Sequence, residues 1–455
     1  MTKKITRSRA IFLMLMLVVV LGTIFMILTG NRYIEYDYVI MLTFAVNILF
    51  FVYMLMISIY EHPFSLNMMF WLFNLIFLGV APLLQYLTDI YAWNLNPHEN
   101  EVLKANVLIL IWSVSYLGGS RIVLKKKNDL PKKKTDLPIQ YTIKTNTLNF
   151  LVMASVMITV YYLLTVGLNN LIYRETSGVS GLSSIATLLT EHGFKNTVLF
   201  TAIFCAVAAK QQGKIDIRTV IAIVCLFISC FPTGIPRNMM ASFYAGLIII
   251  MFDKTRKGRW FALAIFGGLI LIFPALNVFR YVAGSNTNIF SAILSAFGET
   301  YLEGHYDAHQ MLISTQRYVE QFGFKFFSQM LGALFFFVPR SIWANKPVGT
   351  GHTVISELRQ YYFTNVSAPV VAECYIGFGI IGIVIGGILL SKAVKKIDDI
   401  YWNEANELCA IRLIYPCAIF MFFFMLRGDL LSSWAYTFAQ IVVGMALCKL
   451  VIKRN

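Results

Sequence analysis

Solid apolar runs, each close to the twenty or so residues a helix needs to cross a bilayer, recur along the whole chain between short polar connectors. None alternates over about ten residues as a membrane barrel strand does. Lipid offers backbone groups no hydrogen-bond partner, so solid runs of this kind predict helices. Twelve spans are expected, at roughly 10–29, 38–59, 68–87, 105–120, 148–167, 196–209, 219–235, 238–252, 260–281, 368–391, 409–426 and 430–448. The pair 219–235 and 238–252 is unusual. Its first apolar stretch, 219–231, is too short to span at 1.5 Å per residue, and Pro232-Thr-Gly-Ile-Pro236 then breaks the helix. A hairpin with its tip in a cavity below the membrane surface is predicted there.

Composition agrees with the pattern. The chain has 455 residues, 58% hydrophobic and 13% charged, where a soluble domain carries about 25% charged residues. The fold class is therefore an all-α polytopic membrane protein, and residues 1–455 read as one integral membrane domain. The seven cysteines lie in or beside apolar runs without paired spacing, which argues against a disulfide framework or a CxxC metal site. The net charge of +15 falls mostly in lysine-rich connectors such as KKKNDLPKKK and KTRKGR. With the basic residues before the first run, they place both termini in the cytoplasm. This charge reads as topology and contact with the lipid bilayer, and it gives no support to nucleic-acid binding.

The opposite side carries more arginine than lysine: Arg32, Arg174, Arg237, Arg280, Arg317, Arg340, Arg359 and Arg427. Arginine grips a phosphate or carboxylate through two bonds at once, which lysine cannot. Arg237 begins the returning helix of the hairpin, where free N–H groups and the helix dipole favour an anion. Arg280 ends the ninth span in LNVFRY, Arg340 follows Pro339 in FFFVPRSIW, and Arg427 lies in the tight turn Arg427-Gly-Asp429. Four arginines at the outer ends of different helices are expected to converge on one anion, the plain alternative for each being a local pair with an outer acid.

One long segment, Arg280 to His352, is neither lysine-rich nor of low complexity, and 282–367 is expected to form a large periplasmic loop with short helices between spans nine and ten. A short amphipathic helix is expected at 288–297 and an interfacial helix at 182–189 in an earlier loop. Glu299, Glu303 and Asp307 are four apart and would share a helical face. His305 and His309 share that spacing, but no HExxH accompanies them, and no metal is expected. The apolar stretch 326–338 reads as a buried or re-entrant helix. Lys346-Pro-Val-Gly-Thr-Gly-His352 lacks the order of a phosphate loop and reads as a flexible turn presenting Lys346 and His352. Glu373, at the outer start of the tenth span, is an acid entering lipid, where acids are usually paired or functional.

GIPRNM at the hairpin, LNVFRY before the large loop, FFVPRSIWANKPVG within it, SAPVVAECYIGFGIIGIVIGG after it and LRGDL near the end resemble the O-antigen polymerase family, the oligosaccharide repeat-unit polymerases or Wzy. The resemblance covers nearly the whole chain as an arrangement of spans. It implies a helical glycosyltransferase of the C type in the bacterial inner membrane. Such an enzyme polymerises repeat units carried on undecaprenyl pyrophosphate at the periplasmic face, without a metal or other cofactor, and a chain-length-regulating membrane protein is an expected partner. The residues suit that chemistry. Arg237, Arg280, Arg340 and Arg427 could neutralise the leaving diphosphate. His352, Glu303, Asp307 or Glu373 could accept a proton from the acceptor hydroxyl. Tyr301, Tyr306, Trp343, Tyr361 and Tyr362 could form stacking faces for sugars. Two other readings remain open at this stage. An O-antigen ligase would share the donor, and a lipid-linked oligosaccharide flippase would share the span count. A flippase, however, is expected to show internal repeats and midplane charges, and neither is visible here.

Overall fold

The computed structural model describes residues 37–128, 141–173, 189–252, 254–257, 268, 302, 304–360 and 362–454. Among these, eight helices are long and apolar enough to cross a membrane. They are α1 (Tyr38–Glu61), α2 (Leu66–Thr88), α3 (Glu99–Asn128), α4 (Thr145–Thr165), α5 (Leu189–Gln212), and later α11 (Val370–Asn403), α12 (Ala410–Arg427) and α13 (Leu430–Val451). Each matches one of the expected runs. Two more, α6 (Ile217–Ser229) and α7 (Arg237–Met251), are the short arms of the hairpin. The expected spans at 10–29 and 260–281, and the helices at 182–189 and 288–297, lie wholly or largely outside the described residues.

Short polar side chains start several helices by accepting the N–H groups that a first turn leaves free. Asp37 accepts from Val39 N at 2.6 Å, Ser65 from Met68 N at 2.9 Å, Asp216 from Thr219 N at 3.0 Å and Asp429 from Leu431 N at 3.0 Å. The strands 141–143 and 452–454 pair antiparallel, joining the connector before α4 to the tail after α13. The two stretches therefore lie at the same end of the bundle.

The apolar residues form two main clusters. One packs α1, α2, α3, α11 and α12, the other α4, α5, α6, α7, α12 and α13. Helix α12 belongs to both and ties the halves together. Helix α11 crosses α3 through small residues: a Cβ on Gly119 would meet the Ile388 carbonyl oxygen at 2.7 Å, and one on Gly387 would meet Ser115 Cβ at 3.0 Å. Close approach of this kind is how membrane helices gain contact where lipid supplies no hydrophobic drive.

Helix α11 is broken near its N-terminal end at Phe378 and Gly379, where Gly379 has φ 57°. The break frees carbonyls that lipid could not satisfy. Lys325 N donates to Ile376 O at 2.8 Å and Phe326 N to Gly377 O at 3.1 Å, so the preceding loop fills the gap. Glu373 sits on the short N-terminal piece, fixed by that loop.

Within the large loop, α8 (Ala308–Phe322), α9 (Ser328–Leu334) and α10 (Thr350–Leu358) are helical. Within 326–338, where a buried or re-entrant helix is expected, α9 is the helical part. It has seven residues, burying Gln329, Gly332 and Ala333 and leaving Leu331, Leu334 and Phe335 exposed. Helix α10 corrects the flexible turn, because Thr350, Gly351 and His352 are its first residues.

Candidate functional site

The start of α7 and the end of α12 meet over the segment 304–307. Arg427 closes α12, and its Nη2 donates to Asp307 Oδ1 at 3.2 Å and to Gly304 O at 3.4 Å. Its Nε is buried and has no hydrogen-bond partner among the described residues. Asp307 is fully buried, and its second oxygen accepts Trp93 Nε1 and Ser367 N, both at 3.0 Å. The buried carboxylate thus accepts from three donors, one of them a guanidinium. Trp93 reaches it from a left-handed backbone position, φ 60°. The indole lies so close over Gly304 that a Cβ there would be 2.1 Å from the ring.

Arg237 approaches the same segment from the hairpin, its Nη2 3.3 Å from His305 Nε2. The hairpin tip is held in place by the short helix Leu168–Tyr173, which follows α4 in the chain. Thr233 Oγ1 donates to Ile172 O, and a Cβ on Gly234 would collide with Leu171 O at 1.7 Å. Only glycine fits that contact. Pro236 then precedes Arg237, which opens α7 as the sequence predicts.

Two residues past Arg427, Asp429 ties a second segment to the same turn. Its Oδ1 caps α13, and its Oδ2 accepts Gly351 N at 3.2 Å. A Cβ on Gly349 would stand 2.1 Å from that oxygen. Glu373, 2% exposed, accepts Thr350 Oγ1 at 2.6 Å and Leu430 N at 3.1 Å. Burial raises the Asp429 carboxyl above the ordinary aspartate range, against the pull of the backbone N–H groups of Gly351 and Leu431. The Arg427-Gly-Asp429 turn thus holds 304–307 on one side and 349–351 on the other.

The structure brings together Arg237, Arg427, Asp307 and, through Asp429, Glu373 and the start of α10. His352 stands exposed on the first turn of α10, two residues beyond the contact at Thr350. Arg340 is exposed and donates to Lys346 O at 2.7 Å within its own loop. Lys346 does not present its ammonium outward; Nζ donates to the carbonyls of Phe336 and Val338. Burial and the nearby Arg340 charge lower its pKa. Arg280, Glu303, Glu299, Tyr301 and Tyr361 lie outside the described residues.

Several expectations are corrected. Asp307 does not continue a helical face from 303, because 304–306 is a 3-10 turn and Asp307 is its non-helical end, preceding α8. His305 and His309 therefore face different partners. His309 is buried, with Nε2 3.1 Å from Asn106 Oδ1, and burial pushes its pKa down to about 3. Tyr306 is no sugar platform: it is 3% exposed and stacks on Phe77 at 4.8 Å. Tyr362 is fully exposed.

Sequence reasoning missed His305 as a partner of Arg237, Asp429 as the tether of α10, and Trp93. One signal was present for the neighbouring network. Asn47, Asn106 and His309 interrupt or flank apolar runs, and such polar residues pair with one another. Asn106 indeed links Asn47, Thr43 and His309.

The family described as O-antigen polysaccharide polymerase Wzy matches residues 10–455, nearly the whole chain. The chain belongs to the Wzy family. No curated protein and no solved structure matches it. Membership makes the molecule a multi-pass membrane polymerase of O-antigen repeat units, acting on lipid-linked oligosaccharides.

Proposed function

We propose that this chain transfers a glycan from a polyprenyl-diphosphate carrier, undecaprenyl diphosphate, onto a second lipid-linked repeat unit at the periplasmic face of the inner membrane. The observation that carries the reading is the meeting of two guanidiniums, from separate helices, over residues 304–307. Arg237 and Arg427 grip the donor diphosphate, with Arg280 as a third member of the clamp. The acceptor hydroxyl oxygen attacks the anomeric carbon of the donor sugar. The bond from that carbon to the diphosphate oxygen breaks, and the diphosphate leaves with the electron pair. Placed guanidiniums stabilise the charge that grows on it.

The acceptor's proton passes to His352. An imidazole can take a proton at neutral pH, and this one is exposed beside the tethered start of α10. The carboxylates Asp307 and Glu373 serve differently. Their oxygens already accept protein donors, so they position Arg427 and α10 rather than take the proton. Glu303 remains a rival base, and Arg340 a peripheral contact.

The test uses a strain lacking the gene, complemented with Arg237→Lys, Arg427→Lys or the wild type, and a gel of surface lipopolysaccharide. Collapse of the ladder to single repeat units, at normal protein level in the membrane, is expected for both variants. A full ladder from both rejects the clamp. Loss of all O-antigen in the deletion strain would instead indicate a ligase or a flippase. Orientation is checked separately with Tyr362→Cys and Lys214→Cys, using an impermeant thiol reagent on spheroplasts. Six of the seven native cysteines are buried, which keeps the background low. Labelling of position 214 but not 362 would overturn the periplasmic assignment.

A further inference from the structure

At the end of the bundle away from Arg427, helices α1, α2, α3 and α11 enclose a cavity of ≈ 360 Å³. That is within the range of about 300–1,000 Å³ common for small-ligand sites. Its lining shares no residue with the site around Arg427, and Lys395, on its edge, lies about 14 Å along α11 beyond Gly386, where the helix passes Cys374, at about 1.5 Å per residue. Tyr53, Trp71 and Tyr116 supply aromatic wall. Glu61, Ser391 and Lys395 supply the polar edge.

Three observations say what fits. First, Ser391 is 1% exposed and its Oγ has no hydrogen-bond partner among the described residues. A helical serine ordinarily satisfies itself on the carbonyl one turn back. A buried hydroxyl left unpaired is costly, and a ligand acceptor would relieve it. Second, the Lys395 ammonium lies 3.9 Å from Glu61 Oε2 and 3.8 Å from Asp399 Oδ1. Both separations exceed a hydrogen bond, so the charges attract without closing on each other. Third, the wall cannot collapse inward by sliding α3 against α11, because Gly119 already touches the Ile388 backbone.

Two acids around one lysine disfavour a net anion. A headgroup with one positive and one negative charge matches the edge, and acyl chains match the aromatic wall. We infer that this cavity binds one molecule of phosphatidylethanolamine, its ammonium on Glu61 and its phosphate between Lys395 and the Ser391 hydroxyl. The inference stands apart from the proposed catalytic reading, since it uses none of the same residues.

The experiment takes the full chain, purified and stripped of lipid, and exposes it to vesicles of phosphatidylethanolamine, phosphatidylcholine and phosphatidylglycerol in equal parts. Native mass spectrometry then counts retained lipid. One phosphatidylethanolamine is expected in preference to the other two, because only its ammonium can donate hydrogen bonds to Glu61. Glu61→Gln, at an exposed position that leaves the fold intact, is expected to lower that retention by about tenfold, the size of one lost charge-assisted contact. Lys395→Gln should lower it as well. Equal retention of the three lipids, or a preference for phosphatidylglycerol, overturns the inference. So does unchanged phosphatidylethanolamine retention in both variants.

Discussion

Arg427 and Arg340 invite comparison. Each ends a stretch of aromatic and aliphatic residues, each lies among the outer arginines of the sequence, and both are written into short motifs that resemble the same family. In the fold they differ. Arg427 reaches residues 120 positions away, meeting a carboxylate that is 0% exposed. Arg340 reaches a carbonyl six positions away and remains exposed. The first bonds a distant buried segment that Trp93 and Ser367 also hold, and the second closes one loop. A guanidinium's chemistry is the same in both; what it can act on is set by the depth and number of elements around it.

The largest effect expected from breaking this contrast is at the junction. His352→Ala should lower the rate of chain extension by about 10²–10⁴-fold, the usual range for a general base. It should leave donor binding and thermal stability close to wild type, since the side chain is exposed. The check is extension of a lipid-linked repeat unit by purified protein, with binding measured in parallel. Near-normal rates in both His352→Ala and His352→Gln would move the base elsewhere.

Arg427→Lys should lower activity by about 10²-fold, because the charge stays while the planar fork is lost. Arg427→Ala should in addition destabilise the protein by about 3 kcal/mol, since it leaves buried Asp307 without its cation. Thermal unfolding in one detergent separates the two variants. Equal melting temperatures for Ala and Lys would show that the ion pair carries no structural weight.

Gly304→Ala sharpens the junction from the other side. A methyl group 2.1 Å from the Trp93 ring forces that ring or the backbone to move. A loss of about 1–3 kcal/mol is expected, as for other overpacked sites. The displaced segment should also cost activity. An unchanged melting temperature would mean that Trp93 moves freely and does not hold Asp307.

The pH dependence of stability tests the polar helix behind the junction. His309 has a folded pKa depressed to about 3 by burial. A depressed value means that the unfolded chain binds the proton more readily. The stabilisation is therefore full above the ordinary histidine value of about 6.5 and is lost as pH falls toward the folded value, by up to about 1.4 kcal/mol per pH unit. His309→Gln, which can still face Asn106, should flatten the fall in melting temperature between about pH 7 and about pH 5. An identical fall in both proteins would assign the acid sensitivity to other groups.

The smallest effect belongs to the other arm of the comparison. Arg340→Lys should retain activity within about twofold, as expected of an exposed side chain that serves only its own loop. A loss as deep as that of Arg427→Lys would bring Arg340 into the clamp and erase the distinction between the two regions.

Much of the architecture was legible in the residues. The eight helices seen to be long enough to span were all visible as apolar runs, because a membrane helix must hide its backbone and be apolar along its whole length. The short hairpin was legible too, since Pro232 and Pro236 bracket a glycine at the end of an apolar stretch already too short to span. The break in α11 was not. Gly379 permits it, but the N–H groups of Lys325 and Phe326 stabilise it from another part of the chain. The helical start of α10 was hidden for the same reason: Asp429 and Glu373, both distant, hold a glycine-rich stretch that alone reads as a turn.

The candidate residues divide along that line. By itself the sequence determined which side chains had the right chemistry, because arginine, histidine and carboxylate are rare among apolar runs and are kept apart from the lysine-rich connectors. It could not rank them. Asp307 and His352 look equally able to take a proton on paper, yet one is buried under three donors and the other is exposed. Burial and hydrogen-bond saturation come from residues 60 and more positions away. Composition fixes the solvent a chain must face; only tertiary packing decides which polar atoms are left free to act.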